Sequence, residues 1–78
     1  MAIADPGAVG ASRAELAAAL GALTAEHREV VLMRFVDDMS LDEIAGALAI
    51  PPGTVKSRLH RALETLRNDP RTREYFFA

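Results

Sequence analysis

Six side chains in one short run hold the chemistry of this sequence: Thr54, Lys56, Ser57, Arg58, His60 and Arg61. They are hydrogen-bond donors and cations, with no nucleophile–base pair and no metal-ligand set among them. Read as a helix, the run sorts by face. Val55, Leu59, Ala62, Leu63 and Leu66 recur at i, i+4, i+7, i+8 and i+11 and make one apolar stripe. The opposite pole holds Ser57, Arg61 and Glu64, with His60 and Thr54 beside them. Lys56 and Arg67 fall on one flank and Arg58 on the other. A DNA major groove presents base edges at its floor and phosphates at its walls, so polar donors at the pole and cations on both flanks suit it. A solvated helix face rich in Arg and Lys has the same composition, and the pattern alone leaves that alternative open.

The charge distribution suits an anionic partner, and chance clustering on an ordinary surface would give the same asymmetry. The net charge is −2 over 78 residues, but it is divided unevenly. Residues 1–50 carry three basic and eight acidic side chains, whereas residues 51–78 carry six basic and three acidic. Other chemistries are disfavoured. With no cysteine, disulfides and thiolate metal sites are excluded. His27 and His60 lie far apart without accompanying ligands, and Asp37-Asp38 reads as a solvated helix end, so no metal and no cofactor is expected. Glu26 and Glu29 face different sides of their helix, His27 has no orienting partner and no phosphate-binding loop occurs, so an enzyme is not expected. No apolar run approaches the ~20 residues of a membrane span, and no signal-peptide pattern is present. The expected compartment is the cytoplasm.

Positioning the polar face requires a scaffold, and the pattern predicts an all-α one: a small four-helix bundle containing a helix-turn-helix. Residues 1–11 read as a flexible leader or linker, 12–69 as the domain and 70–78 as a C-terminal tail. Ser12-Arg13-Ala14-Glu15 fits a capping box, followed by Leu16, Leu20 and Leu23 on one stripe. Thr24 caps a second helix whose predicted buried face is Val31, Leu32, Phe35 and Val36, after which Met39 folds back on the core. Ser40-Leu41-Asp42-Glu43 is a second capping box, opening a helix with Ile44, Ala45 and Leu48 inward. Pro51-Pro52 then forces a short turn, and the last helix starts near Pro52 or Gly53 and stops at Asn68-Asp69-Pro70. Leu59 centres the apolar stripe and is expected among the most buried residues. Tyr75-Phe76-Phe77 either folds back on the core or offers a partner site.

Three strings carry a family resemblance. Gly53-Thr54-Val55-Lys56-Ser57-Arg58-Leu59-His60-Arg61-Ala62 closely resembles the recognition-helix signature of bacterial sigma factors, region four, especially the extracytoplasmic-function group. Leu23 through Leu32 resembles the opening helix of that region, and Phe35 through Ala45 the approach to its helix-turn-helix. The likeness covers about residues 16–68. Ala49 stands where the turn often has glycine, Pro51-Pro52 is unusually rigid, and the tail Arg71–Ala78 matches nothing in the family pattern.

The resemblance implies binding to the −35 element of promoter DNA and docking on the β-subunit flap of the RNA polymerase core, with an anti-sigma factor masking these surfaces. It implies base and phosphate contacts by Thr54, Lys56, Ser57, Arg58, His60 and Arg61, and a phosphate contact at Ser40. The region that melts DNA needs a helical domain of its own, so the sequence reads as an excised domain or a stand-alone region-four-like protein. Two alternatives stay open: a response-regulator-type helix-turn-helix, and an interaction module that binds polymerase or a regulator without DNA.

Overall fold

The computed structural model describes residues 13–72. Four helices follow in order, α1 (Arg13–Gly21), α2 (Ala25–Phe35), α3 (Leu41–Leu48) and α4 (Pro52–Arg67), and no strand occurs among the described residues. The architecture is the expected all-α one, with α3, a tight turn and α4 forming the helix-turn-helix. The expectations for residues 1–11, for Ser12 and for Tyr75-Phe76-Phe77 lie outside the described residues.

Local chemistry sets the helix starts. Thr24 Oγ1 accepts a hydrogen bond from the His27 N–H at 3.1 Å and caps α2. Ser40 and Glu43 form the full reciprocal box: Ser40 Oγ accepts from the Glu43 N–H at 3.1 Å, and the Glu43 carboxylate accepts from the Ser40 N–H at 2.8 Å. Pro52 opens α4, where a missing N–H costs nothing, and Pro51 precedes it in extended backbone.

Both turns flanking α3 depend on a left-handed residue that is not glycine. Asp38 (φ 57°) lets the Met39 N–H reach back to the Met33 carbonyl at 3.1 Å. Ala49 (φ 58°) does the same for Ile50, whose N–H donates to the Ala45 carbonyl at 3.1 Å. Aspartate tolerates this conformation better than most residues; alanine, with a Cβ and no polar side chain, does not.

The core has two lobes. Ala19, Leu23, Val31, Ala62 and Leu66 form one, and Val30, Ile44, Ala45 and Val55 form the other. Helix α4 enters both, and α2 sends Val30 into one and Val31 into the other. The small side chains Ala45 and Ala62 are buried where the helices meet. Met39 packs on the second lobe, as the sequence suggests.

Two expectations require correction. On α2 the predicted inward set was Val31, Leu32, Phe35 and Val36, but Leu32 lies on the surface and Phe35 and Val36 are 54% and 72% exposed. The helix is rotated so that His27, Arg28, Val30, Val31, Met33 and Arg34 face the body. Arg28 and Arg34 are tolerated there because their stems cover apolar surface while their guanidinium groups find carbonyls. Leu59 is only half-buried. It touches both lobes from the seam between them, while Val55, Ala62 and Leu66 are fully enclosed.

Beyond α4 the chain still contributes to the interior. Thr72 is completely buried and its hydroxyl donates to the Leu66 carbonyl at 2.8 Å. Asp69 and Arg71 brace this turn through a forked ion pair at 2.7 and 3.0 Å. That side-chain hydrogen bond, helped by the Arg71 N–H, holds the Asp69 carboxyl below the usual carboxylate range.

Removing the Leu66 side chain should empty the first lobe, so Leu66→Ala is expected to cost ~2–5 kcal/mol; an unchanged thermal midpoint would contradict this core. The strain at Ala49 makes the opposite forecast. Ala49→Gly should stabilise the domain by ~0.5–1 kcal/mol, after the added freedom of the unfolded chain is subtracted, and chemical denaturation of the two proteins measures the difference.

Candidate nucleic-acid interface

Burying Val55, Ala62 and Leu66 leaves the opposite side of α4 no choice but solvent. Lys56, Ser57, His60 and Arg61 are all exposed on that side, in the middle of the helix. Glu64 follows one turn later and is exposed too. Arg61 and Glu64 form no ion pair, and neither Arg61 nor Lys56 belongs to one among the described residues. Thr65 Oγ1 donates to the Arg61 carbonyl at 3.1 Å.

Thr54 and Arg58 stand apart from this group. Thr54 is half-buried beside the start of α4. The Arg58 side chain is 25% exposed, and its Nη2 lies 3.5 Å from Glu26 Oε2 at the start of α2. Its guanidinium is therefore attached to the protein's own carboxylate. The structure brings Lys56, Ser57, His60 and Arg61 together on one open face and ties Arg58 to a neighbouring helix.

Ser40 is exposed at the first turn of α3. Its oxygen is engaged by the Glu43 N–H, but a hydroxyl that accepts one bond can still donate its own hydrogen. With the positive end of the α3 dipole behind it, that hydrogen suits a phosphate oxygen.

Three features escaped the sequence reading. Arg28 Nη1 donates to the carbonyls of Gly21 and Leu23 at 3.4 and 3.3 Å, tying the end of α1 to α2. Arg34 donates to the Met39 carbonyl at 3.2 Å, lies 3.9 Å from Asp38 and sits 5.9 Å over the Phe35 ring. Leu32, Phe35 and Val36 consequently form an apolar ridge in solvent. The usable signal was Arg28-Val31-Arg34 at i, i+3 and i+6, a spacing that puts both arginines on the same face as a buried valine. Among the described residues no metal-binding group of side chains occurs and no helix is long and apolar enough to cross a membrane.

The sequence is similar to those of known proteins. The family model described as sigma-70, region 4 matches residues 13–66. The RNA polymerase sigma-E factor of Streptomyces antibioticus is 47% identical over 64 residues, covering 82% of this chain and 36% of that protein. The ECF RNA polymerase sigma factor SigL of Mycobacterium tuberculosis is 48% identical over 52 residues, 67% of this chain and 29% of that protein. SigW, an ECF RNA polymerase sigma factor of Bacillus subtilis, is 46% identical over 46 residues, 59% of this chain and 25% of the relative. The chain thus spans between a quarter and about a third of the length of these relatives. On the match over residues 13–66, the chain belongs to the sigma-70 region 4 family, of the extracytoplasmic-function type.

Proposed function

We propose that this domain binds promoter DNA at the −35 element and links it to the RNA polymerase core through the β-subunit flap, as a non-catalytic component of transcription initiation in the cytoplasm. The observation that carries the DNA half is the open face of α4, where Lys56, Ser57, His60 and Arg61 are exposed on a helix whose other side is locked into both lobes. Arg61 is the base-reading candidate. It lies two turns into the helix, and its forked donor can satisfy guanine N7 and O6 together. Lys56 on the flank and Ser40 at the α3 cap serve as phosphate contacts, Ser57 is short enough for a close base or phosphate contact, His60 lines the groove-facing side, and the half-buried Thr54 contacts DNA from its edge at the start of α4. Arg58 reaches phosphate on the other flank.

The protein half of the reading rests on the ridge of Leu32, Phe35 and Val36. An apolar surface on so small a domain is costly in water and suits a protein partner. Polymerase is one such partner, and an anti-sigma factor that masks the domain is the other.

Two measurements test these assignments. In a binding assay on a promoter fragment and its single-base variants, Arg61→Ala should cost ~1–3 kcal/mol on the preferred site and relax discrimination at one base pair. Lys56→Ala should instead weaken all sequences alike and reduce the salt slope by about 0.9. A uniform loss for Arg61→Ala would demote it to a phosphate anchor. Separately, Phe35→Ser should weaken capture by the polymerase core while DNA affinity stays unchanged; equal capture by both proteins would remove the ridge from the polymerase contact.

A further inference from the structure

We infer that Glu26 is an internal competitor of DNA phosphate for Arg58, and that it holds the affinity of the domain for DNA below what its cations would otherwise give. The inference rests on the DNA-binding reading above and adds a residue of α2 to it. Arg58 sits on the flank of α4 where a groove wall would run, between Thr54 and Arg61 along the helix. Yet its Nη2 is already 3.5 Å from Glu26 Oε2. A phosphate approaching that flank meets a guanidinium with a carboxylate attached.

The contact is built to be exchanged. At 3.5 Å it is a single, loose ion pair, whereas Arg71 and Asp69 on the same molecule make a forked one at 2.7 Å. Its two ends also differ in surroundings. The Arg58 side chain is 25% exposed, so most of it lies against the body. Glu26 is 69% exposed and stands in the first turn of α2. If Arg58 leaves, that carboxylate keeps both water and the favourable end of the α2 dipole, so losing its partner costs it little. A phosphate can therefore take Arg58 without stranding a buried charge. The penalty that remains is the ion pair itself, which Arg58 must give up before its guanidinium can turn to a phosphate.

The effect on binding is directional. Glu26 subtracts from attraction to every DNA sequence equally, because it acts on phosphate and reads no base. The consequence is a domain that holds weakly to arbitrary DNA and depends more on the base contacts of the α4 pole.

The test is a four-protein cycle on the 78-residue chain: the parent, Glu26→Gln, Arg58→Gln and the double variant. Each is titrated against a labelled random-sequence DNA duplex over a range of salt, with thermal melts confirming equal folding. Glu26→Gln should tighten binding about three- to tenfold at low salt and steepen the fall of log K with log salt by up to ~0.9, the value of one further phosphate. In the Arg58→Gln background most of that gain should vanish. An equal gain in both backgrounds would make Glu26 a general repulsive charge and overturn its competition for Arg58. No gain, or weaker binding, overturns it as well. A parent that shows no salt-dependent affinity for DNA refutes the DNA-binding reading itself, and the parent titration separates that result from the others.

Discussion

Everything in this domain is referred to the buried stripe of α4. Val55 closes the lobe shared with α2 and α3, while Ala62 and Leu66 close the lobe shared with α1 and α2. Because one helix supplies the inner wall of both lobes, it cannot rotate without opening both. Rotation is the motion that would turn Ser57 and Arg61 away from an approaching ligand. The hydrophobic effect thus fixes an angular coordinate of the polar face although it acts only on the opposite one. Small side chains matter here as much as large ones. Ala45 and Ala62 let helices approach closely, and a bulkier residue at either place would push apart the walls that Val55 and Leu66 bring together.

Arginine has divided duties in this molecule. Arg28 satisfies carbonyls at the end of α1, Arg34 satisfies one beyond α2, and Arg71 steadies the turn that buries Thr72. These are internal hydrogen-bonding roles, served by a donor whose planar head can meet a carbonyl or carboxylate while its stem lies on apolar surface. Arg61 has no such internal side-chain partner among the described residues, and Arg58 lies between the two kinds. Counting basic residues in the C-terminal part of the chain therefore overstates the cationic surface. What counts is how many guanidinium groups the fold leaves unengaged.

The legible parts of the fold were those written in local chemistry. Thr24 and the Ser40–Glu43 box announce helix starts because a cap depends on a few consecutive residues, and Pro51-Pro52 announces a break for the same reason. The α4 stripe was readable because its apolar residues repeat over about three turns. The rotation of α2 was not. Its apolar residues are nearly continuous from Val30 to Phe35, apart from Arg34, so hydrophobicity alone cannot choose a face, and contacts with α1 and the α2–α3 turn decided it. Leu59 was misjudged because a stripe specifies which side faces inward and says nothing about how completely two separate lobes close over its middle. Thr72 was invisible since a polar residue past a proline carries no sign of burial; only its bond to the Leu66 carbonyl explains it. Of the polar face, the set Lys56, Ser57, His60 and Arg61 followed from periodicity, whereas the attachment of Arg58 to Glu26 spans 32 positions and has no local signature.

The turn between α3 and α4 is unusually stiff. Ala49 is set in a left-handed conformation, the Ile50 N–H is tied to the Ala45 carbonyl, and two prolines follow at once. Proline fixes φ and restricts the residue before it, so few torsions remain by which α3 and α4 could change their crossing angle. On the proposed DNA-binding function, a head of fixed shape cannot mould itself to a double helix. In a complex the duplex must do the yielding, by bending or by adjusting the width of its groove, and the ease of that deformation varies with base sequence. Base steps that no side chain touches would then contribute to selection, through the elasticity of the DNA.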